Sequence, residues 1–434
     1  MGPERSASTR HPPVAQSVPA LVARTVEVAD PGPLLDLVPG QERPELVSAW
    51  VRRGQGLVGW GRAATYAASG PDRFKRASRW WRELVERSVV RNDVRLPGTG
   101  PVAFGSFSFA DASLAGSALV VPETVVGHRD GRWWVTTVGV GDHLPPPPRL
   151  ARASRPAPPR EVTFADGALT AAEWAGAVGR AVQRITAGEL DKVVLARDLM
   201  ADAEQPVDPR WLLGELAREY DTTWVFAVDG LVGATPEMLV RLEKGLVTSR
   251  VLAGTIRRTG HDASDLALAG SLARSSKDLE EHEYAVRSVA EALAPHCLSM
   301  YVPEAPFVLH LANVMHLATD VAGVLRNGFG SLRLAAALHP SAAVCGTPTA
   351  VAAEAIAGLE GMDRGRYAGP VGWMDAGGDG DWGIALRCGA FDPADARRLR
   401  LFAGCGIVAG SDPAAELAEA DAKLVPMRDA LSAG

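Results

Sequence analysis

From Leu21 to Gly139 the apolar positions fall in short runs, GLVGWG, VAFGSFSF and ALVVPETVVGHRDGRWWVTTVGV, each bounded by glycine or charged turn residues. That pattern predicts strands. One stretch, from about Pro71 to Val89, breaks it with helical spacing. The prolines of HLPPPPRLARASRPAPPREV, residues 143–162, predict an extended, solvated connection, because clustered proline continues neither regular element. One domain over 21–434 is expected, with a sheet-rich portion at 21–142, the connection at 143–162 and a second portion at 163–434. The polar, proline-bearing residues 1–20 read as a disordered tail.

Beyond the connection the signals sharpen. TAAEWAGAVGRAVQRITAGEL opens with Thr170 and Glu173 as a capping box, carries Trp174, Val178, Val182 and Ile185 on one face, and stops at Gly188. This helix delivers the chain into LDKVVLAR, a strand whose period-two alternation puts Lys192 on one face with Val194 and Ala196. A lysine on an inward face needs a reason. TTWVFAVDGLVGATPEMLVRL predicts a hairpin turned at Asp229–Gly230, and LVTSRVLAGTIRR a further strand. RYAGPVGW and GDGDWGIALRCGAF read as two strands around a glycine turn, with Arg387 inside the second. Strands and helices mix without regular βαβ alternation, so the fold class is α/β in the α+β sense.

Two helices carry carboxylates. SSKDLEEHEYAVRSVAEAL puts Leu279, Val286 and Leu293 on a buried stripe, with Asp278 and Glu281 three residues apart on a neighbouring edge. SDPAAELAEADAKL starts with Asp412 as N-cap and Pro413 at the first helical position; Glu416, Glu419 and Lys423 follow on one face. Alone, such a face is a solvated surface with a Glu419–Lys423 pair. If the two helices converge, their hard oxygens suit Mg²⁺, which takes one or two protein carboxylates and leaves its other positions to water and substrate. Gly404 and Gly406 end an apolar run just before the second helix, where bare backbone can approach an anion or simply form a bulge and a turn.

The net charge of −6 argues against nucleic acid or an anionic membrane as the main partner. Any anionic ligand must be held by local positive charge. Four separated cysteines, 297, 345, 388 and 405, form no zinc or disulfide pattern and suit a reducing, cytoplasmic setting.

Taken together, KVVLAR, GATPEML, LAGTIRR, SSKDLEEHE, HLATDVAG, LHPSAAVCGTP, YAGPVGW, GDGDWGIALR and AGCGIV with SDPAAELAEADAKL resemble the chorismate-utilising enzymes over essentially all of 160–434. Before Arg160 the likeness is one of character only. The resemblance implies a single large chorismate-binding domain, a two-layered β-sandwich flanked by helices. It implies an isomerase forming isochorismate: water adds at C2 of chorismate as the C4 hydroxyl leaves. Lys192 would then be the base and Glu237 the acid. Gly254, Thr255, His316, Ala343, Tyr367, Arg387, Gly404, Gly406 and Lys423 would bind substrate. Mg²⁺ would sit on Glu281 and Glu419, with Asp278 and Glu416 supporting through water.

A free amine titrates near ~10.4 and a free glutamic acid near ~4.3, so each starts in the wrong protonation state for its role. Desolvation moves an amine down and a carboxyl up, which is what an enclosed acid–base pair needs. Lys192 together with Ala253 separates the chain from ammonia-using anthranilate synthases, which resemble it but generally carry glutamine at the lysine's place, and from aminodeoxychorismate synthases with their PIKGT motif. No glutaminase subunit is expected, and a monomer is. A salicylate synthase, which goes on to eliminate pyruvate, and a non-catalytic aromatic-acid binder are the alternatives. Ser341–Ala342, Cys405 and Ala420 depart from the family's usual residues and bear on pocket shape.

Overall fold

The computed structural model describes residues 18–41, 43–310, 314–326 and 328–433, with Thr255, Lys277 and Glu281 described in their backbone only. Residues 1–17 of the expected tail therefore lie outside the described residues.

The helices form where their caps require. Thr170 accepts the Glu173 N–H while Glu173 accepts the Thr170 N–H at 2.9 Å, so Ala171–Thr186 starts with the capping box in place. Its Trp174, Val178 and Ile185 are buried, and the Trp174 indole donates to the Ala196 carbonyl of the following strand at 2.9 Å. Asp412 caps Pro413–Ser432, and the expected insert is the helix Arg73–Glu86.

The chain builds two large sheets, a mixed α/β architecture. Among the described residues one has 13 strands, in which Lys192–Asp202 lies beside Asp395–Ile407, followed by Cys388–Asp392, Leu231–Thr235, Trp224–Val228 and then strands of the first third. The other has 10, with Val314–Leu325, Leu246–Arg257, Met238–Glu243, Gly380–Ile384, Pro370–Asp375 and Val102–Ser106 in sequence. Both sheets thus draw strands from both sides of the proline-rich connection. Residues 143–160 have no regular structure; Arg210 donates to the Ser154 carbonyl and Ala153 N–H to the Asp36 carbonyl.

Between the layers sit the large buried side chains Trp50, Trp382, Phe104, Phe107 and Phe226. Trp50, from the first sheet, donates its indole N–H to Asp381 of the second at 3.2 Å. Its ring lies where a Cβ on Gly383 would be 2.9 Å away, so glycine there lets the layers close.

Several segments pass from one layer to the other, and sequence reading did not place two that bear on the site. The hairpin turns at Asp229 and Gly230, both left-handed at φ 51° and 78°, as expected. It ends at Thr235. Pro236, which lacks an N–H, breaks the ladder, and Met238–Glu243 joins the other sheet. Likewise Arg387 does not lie inside a strand. The second strand of its pair ends at Ile384, and Arg387 stands at φ 47° in the turn before Cys388 enters the first sheet. Left-handed backbone costs a non-glycine residue roughly 1–2 kcal/mol, which strand periodicity cannot reveal. The two crossovers are adjacent: Ala234 N–H donates to the Arg387 carbonyl at 3.2 Å, and Ile384 N–H to the Glu237 carbonyl at 3.1 Å.

Candidate active site

These crossovers bring Glu237 and Arg387 to one edge of the interlayer space, where the head of the Lys192 strand also ends. Lys192 is half-buried. Its side chain runs over Gly406 of the neighbouring strand, with Cε 3.0 Å and Nζ 3.7 Å from where a Cβ on that glycine would stand. Gly406 therefore serves as a track for the lysine.

Glu237 keeps part of its surface open, yet burial of the carboxyl pushes its pKa up to about 7, against opposing pulls from Lys192 and Lys423. The carboxyl is divided between its two protonation states near neutral pH, where a general acid works well. Its backbone N–H is fixed to Thr235 Oγ1 at 3.2 Å.

Lys423 reaches from Pro413–Ser432 to the Gly404 carbonyl at 2.9 Å and pairs with Glu419 at 2.9 Å, the intrahelical pair its spacing predicts. Arg387 is half-buried. Burial pulls its pKa below the usual arginine value, with Tyr220 the group that opposes this, and among the described residues no carboxylate pairs with it. A desolvated guanidinium without a protein carboxylate is a ready receptor for a planar anion.

His316 hydrogen-bonds the Gly254 backbone. Burial lowers its pKa to about 4, helped by the charges of Arg387 and Lys423, so the imidazole is neutral at physiological pH. Gly254 is the extra residue of a bulge: Ala253 pairs with Leu317 and Thr255 with His316, and Gly254 takes φ 74° between them. A Cβ on Gly254 would lie 3.2 Å from the Asp278 Cβ, which places Ser276–Leu293 against the bulge. Only glycine satisfies both demands. The side chains of Thr255 and Glu281 lie outside the described residues.

Tyr367 is buried and stacked on Phe402 at 5.1 Å. Its hydroxyl is 3.1 Å from where a Cβ on Gly404 would be, and burial raises its pKa, so it stays a neutral phenol. Ala343 is exposed, in the turn whose Cys345 carbonyl accepts the Val194 N–H.

Ligand atoms of Glu416, Glu419 and Cys405 lie within 4.8 Å of one another. Burial pushes the Cys405 thiol up to about 12, so it is neutral at physiological pH, and its Sγ donates to the Glu416 carbonyl at 3.4 Å. What remains is a pair of hard carboxylates, one of them accepting from Ser411 Oγ at 2.7 Å. This donor set fits Mg²⁺ better than a thiophilic metal.

Several of the sequence-derived residues are thus brought together: Lys192 over Gly406, Lys423 on Gly404 and Glu419, Glu237 in the field of both lysines, and His316, bonded to Gly254, in the fields of Arg387 and Lys423. Asp278 packs at Gly254 and is not part of the Cys405, Glu416 and Glu419 group. A cavity of about 1010 Å³, lined by Arg73, Arg79, Phe109, Arg333 and His339, contains none of them. Charge arrangement, not volume, locates the site. Sequence reading missed Tyr220 and the buried pair Glu360–Arg364, which spacing alone presents as an ordinary helix-surface i,i+4 pair.

The model of the chorismate binding enzymes matches residues 14–432. The salicylate biosynthesis isochorismate synthase of Pseudomonas aeruginosa is 34% identical over 96% of this chain and 91% of its own length. Isochorismate synthase DhbC of Bacillus subtilis is 40% identical over 60% of this chain and 67% of its own. Among solved structures, MenF, the menaquinone-specific isochorismate synthase from Escherichia coli, covers 96% of each chain at a TM-score of 0.77 and 24% identity, a likeness of fold.

Proposed function

The chain belongs to the chorismate-binding enzymes, and from that premise we propose that it converts chorismate into isochorismate, an isomerase in which water enters at C2 as the C4 hydroxyl leaves. The observation that carries this reading is Glu237: a carboxyl pushed up to about 7 within the fields of Lys192 and Lys423. An acid able to protonate a departing hydroxyl at neutral pH thus lies within the field of the amine proposed as the base.

Lys192, held along Gly406, is the base. Glu237 is the acid. Arg387 receives one carboxylate of the dianionic substrate, with Lys423 and the backbone at Gly404 beside it; Tyr367 supplies a neutral phenol and His316 a neutral imidazole. A neutral imidazole lines the ring's pocket without competing for the acid's proton at physiological pH. Glu281 and Glu419 would hold Mg²⁺, with Asp278 and Glu416 supporting through water, and its charge would neutralise the ring carboxylate; the proximity of the Glu416 and Glu419 carboxylates supports this placement.

Incubation of the purified protein with chorismate and Mg²⁺, followed by chromatography, tests the reading. Isochorismate is the expected main product. Dominant salicylate with pyruvate would instead mark a lyase, and bound but unconverted chorismate a non-catalytic relative. Chelation should abolish turnover and Mg²⁺ restore it; turnover indifferent to chelator would remove the metal from the scheme.

A further inference from the structure

The Lys192 strand is fully laddered along one edge, from Val193 to Asp202, against Asp395–Ile407. Among the described residues its other edge has strand partners only at the two ends: Thr347 and Gly346 at Lys192 and Val193, and Thr163–Asp166 at the tail. Between them, residues 194–198 face no strand, although this stretch is buried. Buried backbone groups need partners.

Backbone supplies two, the Cys345 carbonyl accepting the Val194 N–H and the Gly167 N–H donating to the Asp198 carbonyl, and the Trp174 indole serves the Ala196 carbonyl; an ion pair serves the remaining two. The Ala196 N–H donates to the Glu360 carboxylate at 2.7 Å, and Arg364 donates to the Val194 carbonyl at 2.7 Å. A second Arg364 nitrogen donates to the Val344 carbonyl at 2.9 Å, within the turn that carries Ala343. Glu360 and Arg364 bond each other, Nε to Oε2 at 2.9 Å, and their side chains are 1% and 3% exposed. The Tyr367 N–H donates to the Arg364 carbonyl at 3.1 Å. Replacing a buried ion pair with well-packed apolar side chains often leaves stability unchanged or improved. Stability alone therefore does not account for the pair.

We propose that Glu360 and Arg364 are positioning residues for the reaction: a buried ion pair standing in for a missing strand, which fixes the Lys192 strand, the Ala343 turn and Tyr367 relative to one another. The inference rests on the base role of Lys192 given above. Neither residue belongs to the reacting set. Their effect on rate runs through the backbone two and four residues beyond the lysine, where a small displacement of a base from its water carries a large kinetic penalty.

Three variants test it. Glu360→Gln keeps an acceptor for the Ala196 N–H and removes the charge. Glu360→Gln with Arg364→Met removes both charges, so no orphaned ion is buried, and loses the links to Val194 and Val344. Arg364→Lys keeps a cation whose single ammonium head cannot serve all the acceptors. In the double variant, cooperative thermal unfolding should persist while kcat on chorismate falls at least tenfold and KM moves less than threefold. The kcat–pH profile should be displaced by half a pH unit or more. Arg364→Lys should recover part of kcat.

Folded variants with wild-type kcat and an unshifted profile would overturn the pair's role, as would a rate loss in proportion to unfolded protein. Should Glu360→Gln fail to fold, the double variant decides. If the unmodified enzyme makes no isochorismate, the proposed function has failed; if it does and the folded variants match it, only the positioning role has.

Discussion

Glu237 shows how a single residue can be costly for the fold and useful for the chemistry. Its carboxyl titrates at about 7 in the folded chain against an ordinary value of 4.5. Between those pH values the folded state holds a proton that the unfolded state has lost, so stability falls as pH rises through the window. At ~1.36 kcal/mol per pH unit the cost reaches roughly 3 kcal/mol above the window. Glu237→Gln should therefore raise Tm by a few degrees at pH 8, leave it near wild type at pH 4.5, and abolish turnover at both; a Tm lowered at pH 8 would contradict the burial argument. Arg387→Met should raise KM for chorismate about tenfold or more, as expected for loss of a charge-assisted contact worth roughly 1.5–3 kcal/mol, with a smaller change in kcat. Steady-state kinetics across substrate concentration separates the two effects. At this scale the sequence is uneven. Lys192 announced itself, because alternation put a charge on an inward face. Arg387 misled, because nothing in IALRCG signals a left-handed arginine. Glu360 and Arg364 stayed silent, because burial of an i,i+4 pair depends on chain segments far away.

Elements were read more securely than their junctions. Caps are local chemistry, so Thr170 with Glu173 and Asp412 with Pro413 marked their helix starts correctly. Strands were legible from alternation, but the places where a strand changes sheets were not, since Pro236 and Arg387 sit inside runs that remain apolar on both sides. The bulge at Gly254 was equally hidden: a glycine in LAGTIRR is compatible with an unbroken strand, and only pairing with Leu317 and His316 exposes the extra residue. Gly406 carries this scale's prediction. A Cβ there would meet the Lys192 Cε at 3.0 Å, the movable part of a flexible side chain. Gly406→Ala should thus fold with nearly normal Tm while kcat falls at least tenfold as the lysine swings aside. Unchanged kcat would show that the lysine does not need that track.

At the scale of the whole molecule, the mixed α/β class was legible from the patterning and the two layers only through the family resemblance, whereas the strand order was not legible at all. Neighbours such as Trp50 and Asp381 are 331 residues apart, and no local pattern specifies such a pairing. The charge layout also emerges only here. A chain of net charge −6 sets Lys192 and Lys423 beside the Glu237 carboxyl, and Arg387 and Lys423 near the neutral imidazole of His316. Attraction of a dianion to that cluster is screened by salt, so kcat/KM for chorismate should fall several-fold as ionic strength rises from low to physiological, with kcat changing little. The claim on which these arguments converge is that Lys192 and Glu237 exchange one hydroxyl for another across a bound ring, and turnover of chorismate in ¹⁸O-labelled water tests it most directly. Mass spectrometry of the product should find isochorismate carrying one ¹⁸O at C2 from the unmodified enzyme, and no such product from Lys192→Ala or Glu237→Gln. Unlabelled isochorismate, or labelled isochorismate formed at the normal rate by either variant, would contradict it.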